Sequence, residues 1–204
     1  MIAIVDYGVG NLFSLCSSFK KIGADAVVTS DKATIENADK IILPGVGAFA
    51  DAATKLRDTS LGELVKAQAK KGKYIMGICL GMQLLFDKSY EYGIHEGLGL
   101  IRGDVEPMKG FVDESLKIPH IGWNALRFPR PRFLFKYIKE GDHAYFVHSY
   151  HATKCDEAVI ATTEYDKALT AAVAKENVLG CQFHPEKSGD VGLRILRAFV
   201  EEKY

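Results

Sequence analysis

Long apolar runs are missing from this chain. Nothing in its 204 residues approaches the ~20 consecutive apolar positions that a membrane-spanning helix needs. A surplus of either charge is missing too, because 26 lysine and arginine residues balance 26 aspartate and glutamate residues. That balance argues against a nucleic-acid surface, and without a like-charge block there is no charged tail to expect. The cysteines Cys16, Cys79, Cys155 and Cys181 are scattered and form no C-x-x-C pair. This excludes the usual disulfide framework and zinc spacing, and no metal site is expected. The opening MIAIVDYGVGN lacks the basic flank and the long apolar stretch of a signal peptide. With 48% hydrophobic and 25% charged residues, the chain reads as one reduced, cytoplasmic, enzyme-sized domain over residues 1–204.

Periodicity divides the chain in two. Over the first 90 residues, apolar β-branched runs at 2–6, 26–29, 40–43 and 74–78 alternate with helical patterns at 12–22, 48–57 and 61–71, and a further helix begins near Leu80. Asp31 has the look of a cap for a short helix. Such alternation predicts a mostly parallel central sheet flanked by helices, an α/β fold with ligands at the carboxyl ends of the strands. The second half reads as strands at 98–101, 121–128, 144–150, 158–163, 169–174 and 178–183, a smaller antiparallel region, before a helix at 191–201. The prolines at 129 and 131 sit between strand-like pieces, so they mark a loop rather than a domain boundary.

At the junction of two such elements stands KYIMGICLGMQLLF, residues 73–86. Gly77-Ile78-Cys79-Leu80-Gly81 has the G-x-nucleophile-x-G spacing of a strand-to-helix elbow, whose tight turn crowds the positions two before and two after the nucleophile. The elbow exposes the cysteine at a helix N-terminus, where unpaired N–H groups favour a thiolate. The Leu80 N–H lies where an oxyanion would develop. Cys16, Cys155 and Cys181 read instead as small buried apolar side chains.

A cysteine nucleophile needs a base. Of the six histidines, His184 stands with Glu186 in LGCQFHPEKS (residues 179–188), at the end of an apparent strand. A period of two puts both on one face, so the carboxylate can orient the imidazole while its other nitrogen meets the thiol. His148 and His151 face opposite sides of a strand and do not share a ligand. Two glycine-rich turns follow strands, DYGVGN and LPGVGAF. Phe13 occupies the third glycine position of a dinucleotide fingerprint, and neither turn has the lysine and hydroxyl of a phosphate loop. Both serve as ordinary punctuation, or the second aims backbone N–H donors at a ligand oxygen.

These residues resemble the class I (triad) glutamine amidotransferases: GICLGMQLLF matches their nucleophile motif and QFHPEKS their histidine–glutamate motif. Within that family the chain is similar to the glutaminase subunits of imidazole glycerol phosphate synthases. DYGVGNLFS, LPGVGAF, GLGLIRGDV, KIPHIGWN and YFVHSYHA match those subunits in order, from residue 2 to about residue 199, least well over 127–143. The resemblance implies a single-domain class I glutamine amidotransferase-like fold with a triad of Cys79, His184 and Glu186. It implies that Gln83, Glu91, Ser149 and Tyr150 hold glutamine and that Gly45, Val46, Gly47 and Leu80 frame the oxyanion site. It places Asn11, Trp123, Tyr145 and Lys187 towards a synthase partner, and it implies no cofactor.

Ammonia freed into water at neutral pH is mostly ammonium and no longer a nucleophile, so it must travel unexposed to its acceptor. With no phosphate loop in the chain, the acceptor site is expected on another protein. The resemblance identifies that partner as a (β/α)8-barrel cyclase that makes imidazole glycerol phosphate and an aminoimidazole carboxamide ribotide in histidine biosynthesis. It further implies a glutaminase almost silent until the partner is loaded, with a peptide flip in residues 44–47 as the switch. The alternatives are a paralogous glutaminase feeding an amino-sugar-forming synthase, a cysteine peptidase or thiol-dependent stress protein on a similar elbow, and a non-enzymatic nucleotide-binding or scaffolding module.

Overall fold

Successive side chains of a strand point to opposite faces, and the strands of the first half are apolar on both. The computed structural model describes residues 1–203. Its first elements are β1 (Ile2–Val5), α1 (Leu12–Lys21), β2 (Ala26–Thr29), α2 (Lys32–Asn37) and β3 (Lys40–Leu43). There follow α3 (Phe49–Asp58), α4 (Leu61–Lys70), β4 (Tyr74–Ile78) and the single turn α5 (Leu80–Gln83). Ala3, Val5, Ile41, Leu43 and Ile75 enter one core with Ile35 of α2, Leu56 of α3 and Val65 of α4. Ile2, Ile4, Ile42, Met76 and Ile78 enter the other with Leu15 and Phe19 of α1. Asp31 caps α2 as expected, its carboxylate accepting from Thr34 N at 2.8 Å.

The second half contains β5 (Lys88–Ser89), β6 (His95–Glu96), β7 (Asp104–Pro107), β8 (His120–Arg127), β9 (His143–His148) and β10 (Tyr150–Thr153). It closes with β11 (Val159–Tyr165), β12 (Lys167–Lys175), β13 (Val178–Cys181) and α6 (Gly189–Glu201). α6 lies with α1, burying Ile195, Leu196 and Phe199 in the same core. One sheet of nine strands runs in the order β2-β1-β3-β4-β13-β12-β11-β8-β9. Its pairings are parallel from β2 to β13 and antiparallel from β13 to β9. The antiparallel region therefore extends the main sheet, while the separate small sheet, β10-β7-β5-β6, is mixed. In it β10 with β7 and β5 with β6 are antiparallel, but β5 with β7 is parallel, so it is not the wholly antiparallel sheet expected.

Three local expectations change. Residues 98–101 form no strand. The N–H groups of Leu98, Leu100 and Ile101 donate to the carbonyls of Leu84 and Leu85, satisfying groups that the short α5 leaves unpaired. The helix expected after Leu80 is thus one turn long, and its dipole is correspondingly small. The strand expected at 144–150 breaks at Ser149, where the chain leaves β9 in the large sheet for β10 in the small one.

Candidate active site

Where parallel strands lie side by side, the loops at their carboxyl ends meet. β3, β4 and β13 are such neighbours, in register at Leu43↔Gly77 and Ile78↔Cys181. The loop after β3 carries residues 44–47, the loop after β4 begins with Cys79, and the loop after β13 leads to His184. Sheet order thus brings together three segments that lie far apart in the chain.

Cys79 sits at φ 54° and ψ −110°, a strained backbone for a residue with a side chain. The neighbouring glycines make the turn possible. A Cβ on Gly81 would lie 1.8 Å from the carbonyl oxygen of Leu43, and one on Gly77 would lie 2.5 Å from that of Gly81. The elbow is packed against the loop after β3, so nothing larger than glycine fits at either position. The Cys79 N–H donates to Cys181 O at 2.8 Å, tying the backbone of the elbow to β13.

His184 Nδ1 donates to Glu186 Oε1 at 2.7 Å, and their side chains are 2% and 4% exposed. This contact does not come from strand alternation. β13 ends at Cys181, and Glu186 lies in the 3-10 turn Pro185–Lys187, which folds the carboxylate back to the Nδ1 edge of the ring. Burial alone would lower the His184 pKa. Hydrogen bonds to Cys79 and Glu186, with their negative charges, outweigh it and raise the value to about 9. A second histidine, His148, borders the same cavity with the opposite electrostatics. Burial, reinforced by His120, His151 and His184 nearby, lowers its pKa to about 3. His184 is therefore the histidine able to hold a proton beside the sulfur. His148 donates to Tyr150 O while the His151 ring lies tilted against Phe111, so the two are engaged with different partners. Among the described residues no three histidine, cysteine or acidic side chains group as a metal would need.

A cavity of about 630 Å³ opens over the sulfur. Cys79, His184, Val46, Gly47, Leu80, Gln83, Glu91, Ser149 and Tyr150 all border it, so the structure gathers both residues of the expected thiol–imidazole pair and all four residues expected to hold glutamine. Gly45 lies just behind, where a Cβ would press on the Gly81 N at 2.8 Å. Glu91 spans the gap to the loop after β3: its carboxylate accepts from the N–H of Phe49, the first residue of α3, which has no side-chain cap of its own.

Two contributors carry no obvious signal as isolated residues. Tyr7 donates to Pro44 O at 2.6 Å and so fixes the start of the 44–47 loop. Burial, with the nearby Cys79 charge, pushes its phenol pKa far up and keeps it a neutral donor. Gln182 is fully buried, and its Nε2 lies 3.6 Å from Cys79 Sγ. A count of two back from His184 would have put it on the same side of the chain. Of the other thiols, Cys155 and Cys181 are buried as expected, whereas Cys16 is half-buried.

The residues expected to face a partner lie away from the cavity lining. Trp123 and Tyr145 pair across β8 and β9 with ring centroids 5.8 Å apart, and Lys187 Nζ lies 5.8 Å from the Tyr145 ring centre. Trp123 is 52% exposed. Asn11 caps α1 through its side-chain oxygen, which accepts from Ser14 N at 3.4 Å, and α1 packs against the Pro185–Lys187 turn.

Comparison with known proteins agrees with this geometry. The family described as "Glutamine amidotransferase class-I" matches residues 3–203. A curated relative from Sulfurimonas denitrificans, "Imidazole glycerol phosphate synthase subunit HisH", is 50% identical over 203 residues, covering 98% of each chain. Its counterpart of the same name from Lactococcus lactis is 47% identical over 202 residues, again covering 98% of each. Among solved structures, one titled "Crystal structure of glutamine amidotransferase" shares the fold, with a TM-score of 0.77 at 20% identity over 98% of each chain. The chain belongs to the class I glutamine amidotransferases and, within them, to the family of imidazole glycerol phosphate synthase HisH subunits.

Proposed function

We propose that this chain hydrolyses glutamine to glutamate and ammonia as the glutaminase subunit of an imidazole glycerol phosphate synthase. Its family membership supports the overall activity. The single observation that carries the chemistry is Cys79 on its strained elbow beside the buried His184–Glu186 pair.

In the reading advanced here, the Cys79 thiolate attacks the carboxamide carbon, forming a C–S bond as the carbonyl electrons move to oxygen. Backbone N–H groups of residues 45–47 and of Leu80 receive that oxyanion. Imidazolium His184 gives its proton to the departing nitrogen, the C–N bond breaks, and a glutamyl thioester remains. Neutral His184 then takes a proton from water as the water attacks the thioester. The C–S bond breaks, glutamate leaves, and thiolate and imidazolium are restored. Glu186 stabilises the imidazolium without accepting its proton. Gln83, Glu91, Ser149 and Tyr150 hold the substrate's polar groups within the cavity. Because Tyr7 fixes the Pro44 carbonyl, any peptide rotation that completes the oxyanion site falls after Gly45. There Gly47, at φ 98°, tolerates either orientation.

The ammonia passes to a partner subunit, a (β/α)8-barrel cyclase that yields imidazole glycerol phosphate and an aminoimidazole carboxamide ribotide for histidine biosynthesis. One domain spanning residues 1–204 works in the cytoplasm and docks through the face of Asn11, Trp123, Tyr145 and Lys187. The test mixes the chain with that cyclase and its nucleotide substrate and measures glutamate release. Stimulation by the nucleotide, abolished in Cys79→Ser while added ammonium still supports the cyclase, is the expected result. Undiminished glutamate release by the serine variant rules the scheme out.

A further inference from the structure

We propose that Gln182 is a hydrogen-bond donor to the nucleophile, holding the Cys79 sulfur as an anion and aiming it at the substrate carbon. The proposal rests on the glutaminase reading above and adds a fourth side chain to the group of Cys79, His184 and Glu186.

The argument begins with which way two buried amides must face. Gln83 Nε2 lies 3.3 Å from the carbonyl oxygen of Tyr150 and 2.9 Å from the side-chain oxygen of Gln182. A backbone carbonyl can only accept, so the Gln83 NH2 must point at it, and rotating that amide would set oxygen against oxygen. The Tyr150 carbonyl is itself held in place by His148 Nδ1, which donates to it at 2.8 Å. With the Gln83 NH2 fixed, Gln182 has to present its oxygen to Gln83. Its own NH2 group is then left facing Cys79 Sγ at 3.6 Å.

The Gln182 backbone is anchored as well, because its N–H donates to Ala171 O at 2.8 Å in β12. The residue is fully buried, and water does not compete for its amide. A neutral N–H donor aimed at sulfur discriminates between the two forms of the group. It stabilises a thiolate through a charge-assisted bond and does little for a thiol. It also complements His184: the imidazolium must surrender its proton during turnover, whereas the amide keeps both hydrogens throughout. The amide therefore stays beside the sulfur while the histidine is neutral, and it is in place as a second donor when the thiolate leaves the thioester beside the re-formed imidazolium.

Alkylation of Cys79 by iodoacetamide tests this without reference to glutamine turnover. In Gln182→Leu, which keeps the bulk and removes the donor, the midpoint of the pH–rate profile of alkylation is expected to move up by about one unit, a tenfold weaker ionisation of the thiol. On the alkaline plateau of the profile the variant and wild-type rates are expected to converge. An unmoved midpoint overturns the proposal. So does a deficit of the same size at every pH, which reports altered access to the sulfur. Gln83→Leu supplies a second variant should Gln182→Leu not fold, as judged by thermal unfolding. It frees the Gln182 amide to turn and is expected to give a smaller upward shift of the same midpoint. If the wild-type complex released no glutamate, the glutaminase reading would fail on its own, while the alkylation comparison would still report on the amide–sulfur contact.

Discussion

The two halves of the nine-stranded sheet divide the work unequally. The parallel half, from β2 to β13, builds the proposed reaction centre in its terminal loops. The 44–47 loop, Cys79 and the approach to His184 all leave adjacent parallel strands on the same side. The antiparallel half, from β12 to β9, supplies groups that border or support this centre: His148, the Ser149–Tyr150 crossover into β10, and the exposed Trp123 face. Parallel neighbours present all their carboxyl ends together, which suits convergent chemistry. Antiparallel neighbours alternate their ends and their faces, which suits one surface turned to the core and another turned outward.

The comparison can be broken most directly in the parallel half. Cys79→Ser should lower glutamate release by about 10⁴-fold or more, since nucleophile and base act as a unit, while ammonium-dependent synthesis by the complex persists. Core truncation should separate the halves next. Phe19 of α1 and Phe146 of β9 are both fully buried, and Phe→Ala at either should cost about 3–5 kcal/mol in denaturant unfolding. Phe146 also lies 5.2 Å from the His120 ring and 5.7 Å from Phe183, measured between ring centres. Assayed at a temperature where both variants stay folded, only Phe146→Ala should impair glutaminase activity.

Glu186→Gln should cost about 10²-fold in rate and move the alkaline limb of the pH profile. Its carboxylate helps to raise the His184 pKa to about 9, so the amide variant should lose activity at lower pH than wild type. The same shift has a stability consequence. A folded pKa above the ordinary value of 6.5 contributes stability below pH 6.5 that disappears as pH rises through about 9. Glu186→Gln should flatten that dependence in thermal unfolding. The smallest effect is expected on the outer face of the antiparallel half. Trp123→Ala should change the stability of the isolated chain by no more than about 0.5 kcal/mol. It should nevertheless weaken stimulation by the partner, and an unchanged response there would remove Trp123 from the docking face.

The parallel half was also the more legible one. Its runs of β-branched residues and intervening helical patterns predict β1 to β4 and α1 to α4 closely, because each element there carries a strong periodic signal of its own. β5, β6 and β7 have only two to four residues, too few for a period of two to register. Residues 98–101 are apolar enough to read as a strand but are used to satisfy the carbonyls after α5. The apparent strand at 144–150 hides a crossover between sheets at Ser149. At the site, Cys79 stood out through its glycines and His184 through its acidic neighbour, whereas Tyr7 and Gln182 act through contacts with distant segments.

What the amino-acid sequence determined by itself was local: two-faced strands, a glycine-framed elbow, and a histidine with an acid two residues on. It could say that a thiol and an imidazole were suited to each other, because composition and spacing express chemical type. Tertiary structure alone decided that they meet. β13 pairs with β4 across about a hundred residues of intervening chain, and a pairing that remote leaves no periodic trace in either segment. The facing of the Gln83 and Gln182 amides was decided in the same way, since an amide's orientation depends on which acceptor lies opposite it, and that acceptor belongs to another strand.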